Sequence, residues 1–276
     1  MAFISPPRLA LGAAVATCLS VPLAAVLPGG LDYDRGFAPA WATVVASLLA
    51  VLCILAVSGA RPPGPRLAWG LVAGWTAVAL LLWSAGGVVL DAFRAFFWVT
   101  GIPAGTFAQV DWPGALTRAL SLAAAAATVA VLLAARRAPR TTAWPGYAAF
   151  ALCFPYPLLK LYWSLGGTTA RPAVYHEGFP AMELITLGGL AVLSLALVQD
   201  WGRAVPRRLL LVAAWVAAAA LVSMGALAVF GTLSQLTGMT DGPVEFGSGS
   251  AAMVGLVYGS WLLLGVALGA AALGRR

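Results

Sequence analysis

Two charged side chains stand where charge is costly. Lys160 and Glu183 fall inside apolar runs, at 145–165 and 181–199. A charged residue within a membrane span costs about 2.5–3.5 kcal/mol on insertion scales, so it needs a partner or a task. Lys160 lies about five residues before the end of its run, roughly 7–8 Å deep at the helical rise. Glu183 enters the next run from the same side, so consecutive antiparallel helices bring the two to similar depth. As a structural pair, each lowers the cost of the other, and the Lys160 stem can also snorkel to the headgroups. As a functional pair, Lys160 neutralises an anionic group of a ligand, and Glu183 positions Lys160 or exchanges a proton. Pro155 and Pro157 lie just before Lys160. Each proline removes a backbone donor and frees a carbonyl one turn earlier, and broken helices mark binding sites in transporters. Tyr156 and Tyr162 add hydroxyls, and the loop that follows holds Arg171, Tyr175, His176 and Glu177. The candidate ligand site is therefore Lys160, Glu183, Tyr156, Tyr162, Arg171, His176 and Glu177. The plainer alternative is a kinked helix with an ordinary wet loop.

Few other chemistries fit. His176 is the sole histidine, which excludes a haem held by two histidines and an HExxH zinc site. His176 and Glu177 could form an acid–base pair, with Arg171 for the phosphate of a lipid-linked substrate. Polar groups are too few to favour that enzyme, and no catalytic residue is assigned. Gly247-Ser248-Gly249-Ser250 has the look of a serine-nucleophile turn, but no histidine lies in any span, so it reads as a loop or helix cap. No phosphate loop or complete dinucleotide fingerprint occurs, and no cofactor or metal is expected. Cys18, Cys53 and Cys153 sit in apolar stretches without a CxxC spacing and read as small buried hydrophobes.

The solvent of these residues follows from composition. Of 276 residues, 62% are hydrophobic and 9% charged, and the mean hydropathy is +0.94. A soluble domain carries about 25% charged residues, so this chain cannot cover a water-facing surface. Eight runs are long enough to cross a bilayer, which takes about 20 apolar residues: 8–27, 38–59, 67–90, 115–135, 145–165, 181–199, 209–232 and 251–273. The expected fold is an all-α, single-domain bundle of eight transmembrane helices. The first run follows Arg8 in the manner of a signal peptide and reads as an uncleaved first span.

Charges in the connecting segments alternate. One set holds Arg8, Arg61, Arg66, Arg136, Arg137, Arg140, Arg203, Arg207, Arg208, Arg275 and Arg276, with Asp200 the only acid. The other holds Asp32, Asp34, Asp91, Asp111, Glu177, Asp241 and Glu245, with Arg35, Arg94, Arg118 and Arg171. The basic set marks the cytoplasmic side, which places both termini inside. The net charge of +7 is then a topology signal, and no nucleic-acid partner is implied. Segment 91–114 lies outside. Phe93, Phe96 and Phe97 share one helix face there, as in an interfacial helix with aromatics in the headgroup zone. Gly101, Pro103 and Gly105 would instead allow a re-entrant loop.

Trp83-Ser84-Ala85-Gly86-Gly87 ends the third run, and Trp163-Ser164-Leu165-Gly166-Gly167 ends the fifth. Both runs point the same way, as in a parallel duplication, and both tryptophans are expected at the interface, with the glycines turning the chain. The longer stretch Phe154-Pro155-Tyr156-Pro157-Leu158-Leu159-Lys160-Leu161-Tyr162-Trp163-Ser164-Leu165-Gly166-Gly167 resembles the KLYWALGG-type stretch of uncharacterised actinobacterial membrane proteins. It is also similar to the YWALGG signature of short bacterial membrane proteins grouped as a domain of unknown function, which carry a His where Lys160 stands. The resemblance implies a multi-pass protein of a bacterial cytoplasmic membrane and no activity. The Ala- and Gly-heavy composition suits such a source. Gly70/Gly74, Gly255/Gly259 and Gly265/Gly269 are GxxxG pairs, which let helices approach within the chain or across a homo-oligomer. The sequence thus supports binding or transport of a small or lipidic ligand at the outer half of spans five and six. The alternatives are a membrane enzyme on a lipid-linked substrate and a non-catalytic scaffold.

Overall fold

The computed structural model describes residues 6–27, 37–58, 64–136, 142–169, 171, 178–241 and 250–275. Among them ten α-helices and two short 3-10 turns account for the regular structure, and no strand occurs. The helices are α1 (Pro6–Val26), α2 (Ala40–Ser58), α3 (Pro65–Ser84), α4 (Val88–Thr100), α5 (Trp112–Arg136), α6 (Trp144–Leu152), α7 (Pro155–Ser164), α8 (Ala181–Val198), α9 (Arg207–Leu236) and α10 (Ser250–Gly274). Seven apolar segments are long enough to cross a membrane: α1, α2, α3 with α4, α5, α8, α9 and α10. Tyr175, His176, Glu177, Glu245 and Gly247-Ser248-Gly249 lie outside the described residues. So do Asp32, Asp34, Arg35, Arg61, Arg137, Arg140 and Arg276 of the charge pattern.

The chain divides into two compact units, Met1–Ala138 with Ser234–Gly242, and Pro139–Leu233 with Pro243–Arg276. In the first, α1 packs on α2 and α5, and α3 packs on α2 and α5. Its centre is built of small residues, Ala14, Ala46, Ala50, Ala77, Ala124 and Ala125 around Leu81. Small side chains let backbones approach in lipid, where packing rather than water exclusion drives association. Hydroxyls are satisfied locally: Ser47 and Thr128 donate to carbonyls four residues back at 2.8 Å. Thr43 donates across to Ser84 at 3.0 Å. In the second unit, α6 packs on α8 and α10. Leu210, Ala214 and Ala218 of α9 join Leu264, Leu268 and Ala271 of α10 in its core.

The fifth apolar run is not one helix. α6 ends with Cys153 N–H bonded to Phe150 O at 3.2 Å and Phe154 N–H to Ala151 O at 3.3 Å, and α7 restarts at Pro155. Those tightened i→i−3 bonds follow from the prolines, which have no N–H for the i−4 ladder. Neither α6 nor α7 is long enough to cross a bilayer alone.

The tryptophans of the repeated Trp-Ser turn are buried in the protein. Trp83 is 6% exposed and Trp163 3%. Trp83 packs edge-on to Trp41, and the Trp163 indole donates to Thr169 O at 3.0 Å. Both turns begin alike, with Ala85 N–H on Leu81 O and Leu165 N–H on Leu161 O. They then diverge. The left-handed residue is Gly87 in the first (φ 91°) but Gly166 in the second (φ 94°), one register earlier. At Gly87 the chain turns directly into α4, and a Cβ there would stand 2.6 Å from the Phe37 ring.

α4 is the amphipathic element of segment 91–114. Phe93, Phe96, Trp98 and Val99 are exposed, whereas Asp91 is buried. Asp91 meets Arg118, and Trp98 meets Trp112. Advancing along α4 therefore means moving back along α5, so α4 runs antiparallel to the first turns of α5.

Candidate functional site

The charged pair of the second unit forms as its spacing suggested. Lys160, on α7, and Glu183, in the first turn of α8, approach to 3.5 Å between Nζ and Oε1. Their side chains are 23% and 27% exposed, so the pair is neither bathed in water nor sealed. The N-terminus of α8 favours a carboxylate in its first turn. One turn before Lys160, the Tyr156 ring lies 5.7 Å from Nζ, within cation–π range. The proline break sets this geometry, because it lets α7 start afresh with Tyr156 and Lys160 on one face.

Behind Tyr156 stand two aromatics from α10 that sequence reading missed. Tyr156 and Trp261 meet edge-on with ring centroids 5.2 Å apart, and Trp261 meets Tyr258 at 5.1 Å. The Trp261 indole N–H is buried and has no hydrogen-bond partner among the described residues. Nothing local in the sequence links position 261 to position 156. The i, i+3 spacing of Tyr258 and Trp261 was the available signal, since it puts both rings on one face.

The remaining expected residues are placed differently. The Tyr162 hydroxyl pairs with Thr169 Oγ1 at 3.0 Å, and its ring covers Gly167, so it closes the end of α7 rather than joining the pair. Arg171 is partly buried, with its backbone N–H on Thr168 O at 3.2 Å. His176 and Glu177 are outside the described residues. At the opposite end of the unit, a cleft of about 220 Å³ is lined by Thr142, Ala143, Leu197, Val198, Ala271 and Gly274. None of its described lining residues is charged. The three cysteines are free thiols, Cys53 and Cys153 buried and Cys18 partly so. No group of three metal-ligating side chains occurs among the described residues.

The first unit holds a second constellation, built from charges that the sequence placed on a wet loop. Arg118 lies within α5 and is buried at 7% exposure, with Asp91 at 3% and Asp111 at 5%. Its guanidinium grips Asp91 with two bonds, Nε–Oδ2 at 2.5 Å and Nη2–Oδ1 at 2.9 Å, and reaches Asp111 Oδ2 at 3.3 Å. Asp111 Oδ1 also accepts the Gly114 N–H at 3.0 Å, which caps the start of α5. Phe37 covers the guanidinium at 5.0 Å. Nearby, Arg94 lies over the Phe107 ring at 4.7 Å and donates to Thr106 O and Gln109 O at 3.3 and 3.2 Å. The fork is matched to its acceptors, so the cluster is a clip that fixes α4 and the loop to α5. The seven-residue spacing of Asp111 and Arg118, two helical turns, was the legible sign of it.

Large apolar side chains cover the outside of both units. Trp69, Val99, Met182 and Leu209 are all well exposed, a surface that suits hydrocarbon and not water. The helices and this surface define a multi-pass integral membrane protein. No family model matches the sequence, and neither does any curated protein or solved structure.

Proposed function

We propose that the protein binds, and carries across or within a bacterial cytoplasmic membrane, a small or lipidic ligand held at the outer ends of α7 and α8. In this reading α6 and α7 together make the eighth span, and both termini are cytoplasmic, as the charge pattern requires. The observation that carries it is the Lys160–Glu183 pair, poised against Tyr156 on a helix that two prolines have broken. A purely structural pair would need no break beside it. The broken backbone supplies what a binding site in lipid uses: Pro157 has no N–H for the Cys153 carbonyl, and a short helix can shift independently of its predecessor. Lys160 would take the anionic group of the ligand, and Glu183 would set its position or take up a proton.

The test is a pair of single variants and their double. Lys160→Met or Glu183→Gln alone should lower thermal stability in detergent by about 1–2 kcal/mol, because each removes one member of a partly buried ion pair. The double variant should regain most of that loss. Across a set of single-chain amphiphiles and small zwitterions, the parent protein's ligand-dependent melting shifts should change in each single variant and vanish in the double. A double variant that folds and retains every shift of the parent protein would end this reading.

A second reading, assembly through α10, rests on Gly255 and Gly259, where an added Cβ would meet no atom of another element within 4 Å.

A further inference from the structure

We infer that the Lys160–Glu183 site selects a zwitterionic amphiphile, whose charged group exchanges partners with the ion pair and whose uncharged acceptor engages the Trp261 indole N–H. The inference rests on the ligand-site reading above and adds the class of ligand. Three observations carry it.

The first is electroneutrality. Lys160 and Glu183 face each other at 3.5 Å, so an arriving group must open the pair. An anion that takes Lys160 leaves the Glu183 carboxylate without its counter-charge. A cation that takes Glu183 strips Lys160 of that carboxylate. Either exchange leaves a net charge on a site whose side chains are only 23% and 27% exposed, which is costly. A zwitterion replaces one ion pair by two and strands nothing. Its anionic group goes to the ammonium, and its cationic group goes to the carboxylate.

The second is the aromatic wall. Tyr156 lies under Lys160, Trp261 stands edge-on to Tyr156, and Tyr258 backs Trp261. Such a wall accepts the uncharged body of an amphiphile and can hold an ammonium against a ring face.

The third is the orphan donor. A buried N–H without an acceptor is costly in a membrane, where no water substitutes. The Trp261 N–H is buried and has no partner among the described residues. Trp261 sits 11 residues into α10 from Ser250, about 16 Å at the helical rise, which is deeper than the charged pair. The donor therefore calls for an acceptor set a short spacer below the charged group. The ester carbonyl of a glycerophospholipid stands in that relation to its headgroup.

The probes are single-chain phosphatidylethanolamine (zwitterionic), single-chain phosphatidylglycerol (anionic), a single-chain alkyl amine (cationic) and glycerophosphoethanolamine, the zwitterionic headgroup without a chain. Each is titrated against the full-length protein in nanodiscs of neutral lipid, with affinity read from native mass spectrometry and melting shifts. The zwitterionic lipid should bind the parent protein at least tenfold more tightly than the anionic one. Glu183→Gln should reverse that order, since the Lys160 ammonium then leaves the site net positive and favours an anion. Trp261→Phe keeps the ring and removes the donor, and should weaken the zwitterionic lipid about three- to tenfold, the worth of one hydrogen bond. Comparable binding of glycerophosphoethanolamine would overturn the amphiphile and identify the ligand as a soluble zwitterion. Tighter binding of the anionic lipid, lost on Lys160→Met, would overturn the class and leave the site standing. Indifference of every probe to Lys160→Met, Glu183→Gln and Trp261→Phe would overturn both.

Discussion

Replacing Arg118 by methionine should be the most damaging single change in the first unit, with a loss of about 3–5 kcal/mol. The size follows from what is left behind. Arg118 satisfies both oxygens of Asp91 and one of Asp111 in a site where all three residues are buried. Methionine matches much of the volume but supplies no positive charge, so two carboxylates would face each other out of water. Breaking a buried pair by removing one partner costs this much because the other charge is stranded. Arg118→Lys should recover only part of the loss, since a point charge cannot reproduce the two-toothed grip on Asp91. Asp91→Asn combined with Arg118→Met should lie between the parent and Arg118→Met, because one stranded charge is gone. Melting of the purified variants in the same detergent measures the series. A loss under about 1 kcal/mol for Arg118→Met would mean that the cluster is wet and that α4 is held by its aromatics alone.

The Arg118 clip also shows where sequence reading stops. Hydropathy is a sum over a window, and one arginine near the end of an Ala- and Leu-rich run hardly alters it. Arg118 was therefore counted with loop charges, although it lies inside the run at 115–135. Its partners could not be read from a charge tally either. Asp91 belongs to a different helix, and only folding brings it to Arg118. The Lys160–Glu183 pair was legible for the opposite reason. Its members lie on consecutive helices, so the helical rise alone sets their depths. The break in the fifth run was legible from Pro155 and Pro157, because a missing N–H is a covalent fact. Trp261 and Tyr258 were not, since they come from α10, far along the chain from Tyr156. The burial of Trp83 and Trp163 was not legible either, since what packs over a helix end is set by folding.

The glycine pairs of α10 sharpen that distinction into the second prediction. Gly259→Leu and Gly265→Leu are the same substitution, about 1.7 helical turns apart, and sequence gives no reason to separate them. The structure does. A Cβ at Gly265 would meet Val222 Cγ2 at 2.7 Å and Ala218 O at 2.9 Å. From the facing helix, a Cβ at Gly225 would stand 2.6 Å from Leu262 N and 2.8 Å from its Cα. The α9 and α10 backbones thus touch through glycine on both sides, the close approach that small residues permit in lipid. A leucine at 265 meets backbone that cannot rotate away, so the two helices must part. Overpacking costs about 1–3 kcal/mol where side chains can yield, and more where they cannot. Gly265→Leu should therefore cost more than about 3 kcal/mol. Gly259→Leu, where a Cβ would meet nothing within 4 Å, should cost nothing within the chain. If a second copy packs on α10, Gly259→Leu would leave the melting of the monomer intact and shift the light-scattering mass to one chain. The contrast within one helix separates packing inside the protein from assembly outside it, and a Gly265→Leu protein that melts like its parent would refute the contact itself.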